Sequence, residues 1–261
     1  MREKNDKNDY IPDMDMTSPL IFDRASVRRH IARALPNFVA HSALFDDCAE
    51  QIQERVSEVK REFTTALDLS PFPFLRQQSN IASVTAAPET DEEFLPHSPQ
   101  SFDFIASNLG LHWVNDVPGA LAQIRATLKP EGLFIASLIG EQSLRELRAC
   151  LLDAELSVTG GISPRLSPTI DLLSASALMQ RAGFTLPVAD KETVTLIYPD
   201  MFALMRDLRG MGQTNAHTQR LRHATRREVF FQAAALYQER FGDENGHIPA
   251  SFDIIYLHGW K

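Results

Sequence analysis

The chain has 261 residues, of which 44% are hydrophobic and 23% charged, an ordinary globular composition that excludes global disorder and suits one domain with an insertion. Its 34 acidic against 26 basic side chains give a formal net charge of -8, which sets the long-range field against a nucleic-acid backbone and argues against nucleic acid as partner.

The first residues, MREKNDKNDYIPDMDM, carry acidic side chains and no apolar leader, and residues 1–19 read as a disordered tail ahead of a folded domain over 20–261. No later window approaches the ~18 apolar residues of a spanning helix, so the chain reads as soluble, without a membrane span. Helical spacing runs from Asp23 to Leu35 and again from about Ser42 to Lys60. Arg24, Arg28, Arg29 and Arg33 fall roughly a turn apart, which reads as a solvated helix face, an acidic partner surface being the alternative.

Thr64 to Leu69 is a short run of strand formers that predicts the first buried strand of a parallel sheet. Ser70 to Asn80 is barely long enough for a parallel crossover, because Pro71 and Pro73 leave only Phe74 to Gln78 as a short possible helix before a possible strand over Ile81 to Thr85. Phe102 to Leu109 predicts a strand, Val117 to Leu128 a helix, Lys129 to Gly132 a stop and Leu133 to Leu138 a further strand. That order describes a βαβ unit within a parallel sheet.

Candidate site residues follow from that order. Asn108, His112 and Trp113 fall just after a strand's C-terminal end, where open α/β sheets bind ligands. His112 suits a general base or a structural histidine capping the turn, and Trp113 a pocket wall or core filler. GGISPRLSP and DLRGMGQTN predict ordered loops over the same sheet edge, within a helical cover around residues 140–242. Arg165, Arg206 and Arg209 are candidates to hold an acidic substrate or partner, with Tyr198 lining the same cavity; surface pairing and packing are the plainer alternative for each. Cys48 and Cys150 lack the clustering of a zinc site and predict two free thiols in a reducing, cytoplasmic setting, with no metal centre.

The stretch SFDFIASNLGLHWVNDVPGALAQIRATLKPEGLFIAS resembles the middle of class I S-adenosylmethionine-dependent methyltransferases of the type 11 group. Further on, ELRACLLDAE, LMQRAGF, YPDMFALMRDLRGMGQTNA and IPASFDIIYLHGWK resemble the methyltransferase-like proteins related to mitochondrial complex I assembly factor five, so the resemblance spans roughly Leu20 to Lys261. It implies a Rossmann-like class I sheet with N-terminal helices and S-adenosylmethionine as cofactor. It also implies a place among bacterial members described as methyltransferases and a mitochondrial branch that hydroxylates an arginine of a complex I subunit. Cofactor contacts implied by it are Asp68 on the first strand, Asp91 and Glu92 in TDEEFLP beside the adenine, and Asn108, His112 and Trp113.

One departure is specific. A side chain in the family's glycine-rich turn fills space the cofactor needs, yet Ser70, Pro71, Phe72 and Pro73 stand there, and no glycine occurs from Met1 to Leu109. The first βαβ unit is shortened as well. Three functions therefore stay open: a methyltransferase, a protein-arginine hydroxylase, and a non-catalytic assembly or binding protein with a protein partner. A cleft beside Asn108 to Trp113 favours retained binding; Phe72 or Phe74 packed into it favours loss.

Overall fold

The computed structural model describes residues 20–77, 80–88 and 90–261; the tail expected over 1–19 lies outside them. Helix α1 (Arg24–Ala34) starts where Asp23 accepts from the backbone N–H of Ser26, and it runs into a 3-10 turn over Leu35–His41. Helix α2 (Ala43–Glu58) buries Leu44, Phe45, Cys48, Ile52 and Val56 along one stripe at helical spacing. Strands β1 (Ala66–Asp68) and β2 (Val84–Ala86) have three residues each and pair in parallel.

Strand β3 (Phe102–Asn108) is buried throughout, and α3 (Val117–Thr127), capped by Asp116, returns the chain to β4 (Leu128–Ile139) alongside it. This is the expected βαβ unit. The chain continues through α4 (Arg145–Thr159), α5 (Leu172–Arg181), β5 (Thr185–Tyr198), α6 (Met201–Gly210), α7 (Arg227–Phe241) and β6 (Ile248–Trp260). The segment over 140–242 thus carries α4 to α7 and the edge strand β5.

The six strands lie in the order β2-β1-β3-β4-β6-β5, with β6 antiparallel to both of its neighbours. Alternation along the central strands sorts the core into two layers. Phe104, Ala106, Leu133 and Ile135 pack with α2, α4, α6 and α7, whereas Ile105, Phe134 and Ala136 pack with α3 and α5. Helices on both faces of a largely parallel sheet make this a Rossmann-like α/β fold. The outer strand β5 is mostly exposed, and Asp190, Lys191 and Glu192 along it discourage pairing with another chain.

Two expectations are corrected at the first crossover. Phe74–Gln78 does not form a helix in its described residues 74–77, and the strand expected over Ile81–Thr85 is reduced to a single bridge from Ile81 to Phe63 followed by β2. The backbone N–H groups of Phe74 and Leu75 donate to the Asp68 carboxylate, which turns the chain out of the path a helix would take. No helix among the described residues is long and apolar enough to cross a membrane.

Phe104 is fully buried at the centre of one layer and Phe94 is 75% exposed. Phe104→Ala is expected to cost about 3–5 kcal/mol in urea denaturation, and Phe94→Ala within about 0.5 kcal/mol.

Candidate functional site

The site forms around the C-terminal ends of β1 and β3. Past β1 the chain folds back beside those ends and leaves two cavities, one lined by Phe38, Phe45, Phe72, Phe74 and Asn108, the other by Arg24, Pro71, Glu92, Gly110 and Trp113. Asp68, fully buried, accepts backbone hydrogen bonds from Ser70 at 2.9 Å, Phe74 at 2.8 Å and Leu75 at 2.9 Å. Ser70 Oγ in turn accepts from the backbone of Asn108 at 2.8 Å. Phe72 lies flat against Phe38, ring centroids 3.6 Å apart and planes within 7°, and meets Phe45 edge-on at 5.3 Å. Pro71 closes on the far side, where a Cβ added to Gly110 would stand 3.1 Å from its ring.

These contacts decide how the implied cofactor residues are used. Asp68 spends both carboxylate oxygens on its own following turn. Asn108 is buried, donating to the Phe45 carbonyl at 2.9 Å and accepting from Ser137 Oγ at 2.7 Å. Asp91 and Glu92 both face Arg24 of α1, which also donates to the Trp113 carbonyl at 3.1 Å. Burial pushes the Glu92 carboxyl above its ordinary value despite the guanidinium beside it. Phe72 and Pro71 stand where the resemblance implies a glycine-rich turn for the cofactor, and Arg24 engages the acidic groups that it implies as cofactor contacts. The residues present do not fit that cofactor.

His112 and Trp113 lie on the other side of the β3 terminus, in a short 3-10 turn, and both reach Gln213 Oε1 at 2.9 Å. Indole N–H can only donate, so the Gln213 atom is an oxygen; His112 Nε2 must then carry a hydrogen, leaving Nδ1 as an unprotonated acceptor. That Nδ1 is buried and has no hydrogen-bond partner among the described residues. Burial drives the His112 pKa down to about 4, against the opposing Gln213 hydrogen bond, so the ring is neutral near pH 7.

His112, Trp113 and Gln213 form part of the wall of a pocket that is partly open to solvent. Leu44, Ile139, Leu166 and Phe252 supply apolar surface, and Ser143, Arg148, Thr169 and Asn215 supply polar groups. Asn215 holds the 164–165 loop to the 213–215 loop by donating to the Pro164 and Arg165 carbonyls at 2.8 and 2.9 Å. Leu144 on the pocket wall and Leu109 just past β3 have φ of 55° and 50°, a left-handed conformation costly for a leucine and retained only where the surroundings enforce it.

The four expected substrate contacts lie elsewhere, for identifiable reasons. Arg165 forms a two-pronged pair with the buried Glu155 and donates to Thr225, so its charge is spent within the cover. Tyr198 donates to Asp207 at 2.6 Å, and burial together with that carboxylate raises its pKa. Arg206 and Arg209 are exposed on α6 and do not line the pocket. Gln213, Ser143 and Arg148 were not singled out from sequence; only the loop carrying Gln213 was. Cys48 and Cys150 are buried free thiols, and no group of three His, Cys, Asp or Glu among the described residues is placed to hold a metal.

A family model described as a methyltransferase domain matches residues 48–136. The chain is 35% identical to the mitochondrial arginine-hydroxylase NDUFAF5 of Danio rerio, over 92% of this chain and 83% of that protein. It is 31% identical to a malonyl-acyl-carrier-protein O-methyltransferase of a Methylovorus species, over 92% of this chain and 90% of that one. Among solved structures, a Haemonchus contortus phosphoethanolamine N-methyltransferase 2 superposes with a TM-score of 0.51 at 13% identity, over 91% of this chain and 59% of that one, which shows a shared fold.

The neutral His112 has a pH consequence. Its pKa is about 4 when folded and 6.5 as a free side chain, so the unfolded chain binds the extra proton between those values. Stability contributed by the neutral ring is present above the upper value and is lost as pH falls towards the lower one. Urea denaturation is expected to show a smaller drop in stability across that window for His112→Gln, which does not titrate, than for the unaltered chain.

Proposed function

The chain belongs to the methyltransferase family that includes the NDUFAF5 arginine-hydroxylases, and on that basis we propose that it is a non-catalytic member, an assembly or binding protein that does not carry S-adenosylmethionine in the family manner. One observation carries this reading: Phe72 stacks on Phe38 over the end of β1 while Asp68 ties down the turn that contains it. S-adenosylmethionine is a trait of the family. What this chain keeps is the neighbouring pocket, able to receive a largely apolar molecule beside His112, Gln213 and Thr169.

The open pocket is the specific observation that favours an enzyme, a methyltransferase acting on an acceptor held there. Arginine hydroxylation, the activity in the relatives' name, finds less support, because a guanidinium calls for a carboxylate and the described pocket-lining residues include no Asp or Glu. Resemblance to the complex I assembly factor supports a protein partner, with respiratory complex I assembly as the process. The two free thiols support a reducing, cytoplasmic setting.

Calorimetric titration of the full chain with S-adenosylmethionine and with S-adenosylhomocysteine tests the reading. No saturable heat is expected from either ligand. Saturable binding with a dissociation constant near about 1 μM, some 8 kcal/mol of affinity, would overturn it and restore the enzymatic reading.

A further inference from the structure

The chain's negative charge is unevenly placed. Between Asp23 and Asp46 the sequence carries Arg24, Arg28, Arg29 and Arg33 and no acidic residue; between Asp207 and Glu228 it carries five more arginines and again none. All 34 acidic side chains therefore lie outside these two segments. The fold brings the two together: Phe22 bridges to His217, the Asp23 N–H donates to the Ala216 carbonyl at 2.9 Å, and His30 Nδ1 lies 3.1 Å from the Thr214 carbonyl.

The arginines that meet there are held mostly by neutral groups. Arg29 and Arg220 both donate to Ser26 Oγ at 2.7 Å, so two guanidinium groups converge on one hydroxyl. Arg33 donates to Thr214 Oγ1 at 3.1 Å. Burial and the charge of Arg209 both lower the Arg33 pKa. Arg28 pairs with Asp91, and Asp23 serves Arg220 and Arg222, whereas Arg29, Arg33 and Arg209 form no ion pair with an acidic side chain among the described residues. Like charges kept this close and unpaired cost free energy unless something anionic sits over them.

We propose that the arginine face formed by α1, the end of α6 and the loop after it docks an acidic polypeptide segment. Guanidinium groups suit carboxylates because the planar fork donates to both oxygens at once, and the convergent pairs here match carboxylates on neighbouring residues of a strand or turn. A long nucleic acid or a planar anionic bilayer would also approach the acidic remainder of the chain. A short segment feels only this face, since screening confines the field to about 8 Å at physiological salt. Thr214, which holds Arg33 and His30, lies between Gln213 and Asn215 of the pocket wall, so a docked segment bears on the loop that shapes the pocket. The proposal does not depend on whether the chain is an enzyme.

The test measures anisotropy of a short fluorescein-labelled oligoglutamate peptide titrated with the full chain, and with two variants of equal net charge. Arg33→Glu/Arg209→Glu reverses the face; Arg145→Glu/Arg240→Glu reverses exposed arginines on α4 and α7. Saturable binding that weakens with added salt is expected, falling at least about tenfold in the first variant and little in the second. Arg33→Lys/Arg209→Lys, which keeps the charge and loses the fork, is expected to bind more weakly than the unaltered chain and more tightly than the reversed face, with melting curves recorded as the control that each variant is folded. No binding by the unaltered chain, or equal loss in both reversal variants, would overturn the proposal. So would binding to phosphatidylserine vesicles or to single-stranded DNA in preference to the peptide.

Discussion

The Asp68 carboxylate is the interaction on which the arrangement of the site depends. A connection between adjacent parallel strands must carry the chain from the far end of one back to the near end of the next, and a helix ordinarily spans that distance while covering the sheet. Residues 69–83 make the return with no helix in their described part. Asp68 compensates by gathering three N–H groups from the segment that leaves β1, groups that would otherwise be buried without acceptors. Phe72 and Leu75 supply apolar volume beneath α2 and the 3-10 turn before it. Both join the core beneath α2, while a cavity lined by Phe38, Phe45, Phe72, Phe74 and Asn108 stays open beside them.

From this turn the polar interior follows. Ser70, fixed by Asp68, accepts from Asn108, whose amide is itself shared between Phe45 and Ser137. Each member is satisfied by another element, so β1, β3, β4 and α2 are tied at one point. Buried polar networks of this kind are stable when complete and costly when any member is lost. Asp68 and the Asn108 amide are thus both engaged within the interior of the chain.

Local features of the fold were legible in the sequence because they depend on neighbouring residues. Asp23 marks a helix start through its side-chain bond to a residue three positions on, and the β3–α3–β4 unit appears as strand, helix and strand in consecutive runs. Pairings across long separations were not legible. The Gln213 oxygen that orients His112 lies 101 residues further along, and its loop was recognised only by composition. Arg165 was attractive because of its charge, but charge alone does not reveal that Glu155, near the end of α4, already pairs with it. The absent glycine-rich turn was visible; the manner in which Asp68 and Phe72 replace it belongs to three-dimensional packing.

The two halves of the site consequently obey different constraints. On the β1 side, aromatic stacking and backbone capping make binding depend on breaking a buried cluster, and opening it would expose Phe72, Phe38 and Phe45 together. On the β4 side, the pocket wall is assembled from separate loops joined by a few hydrogen bonds, from Asn215 to the Pro164 and Arg165 carbonyls and from His112 and Trp113 to Gln213. Fewer bonds need to change for that wall to adapt. A ligand therefore meets least resistance in the pocket beside His112, and the loop from Gln213 to Asn215, shared with the arginine face through Thr214, is the part of the chain through which a partner outside can alter what is held within.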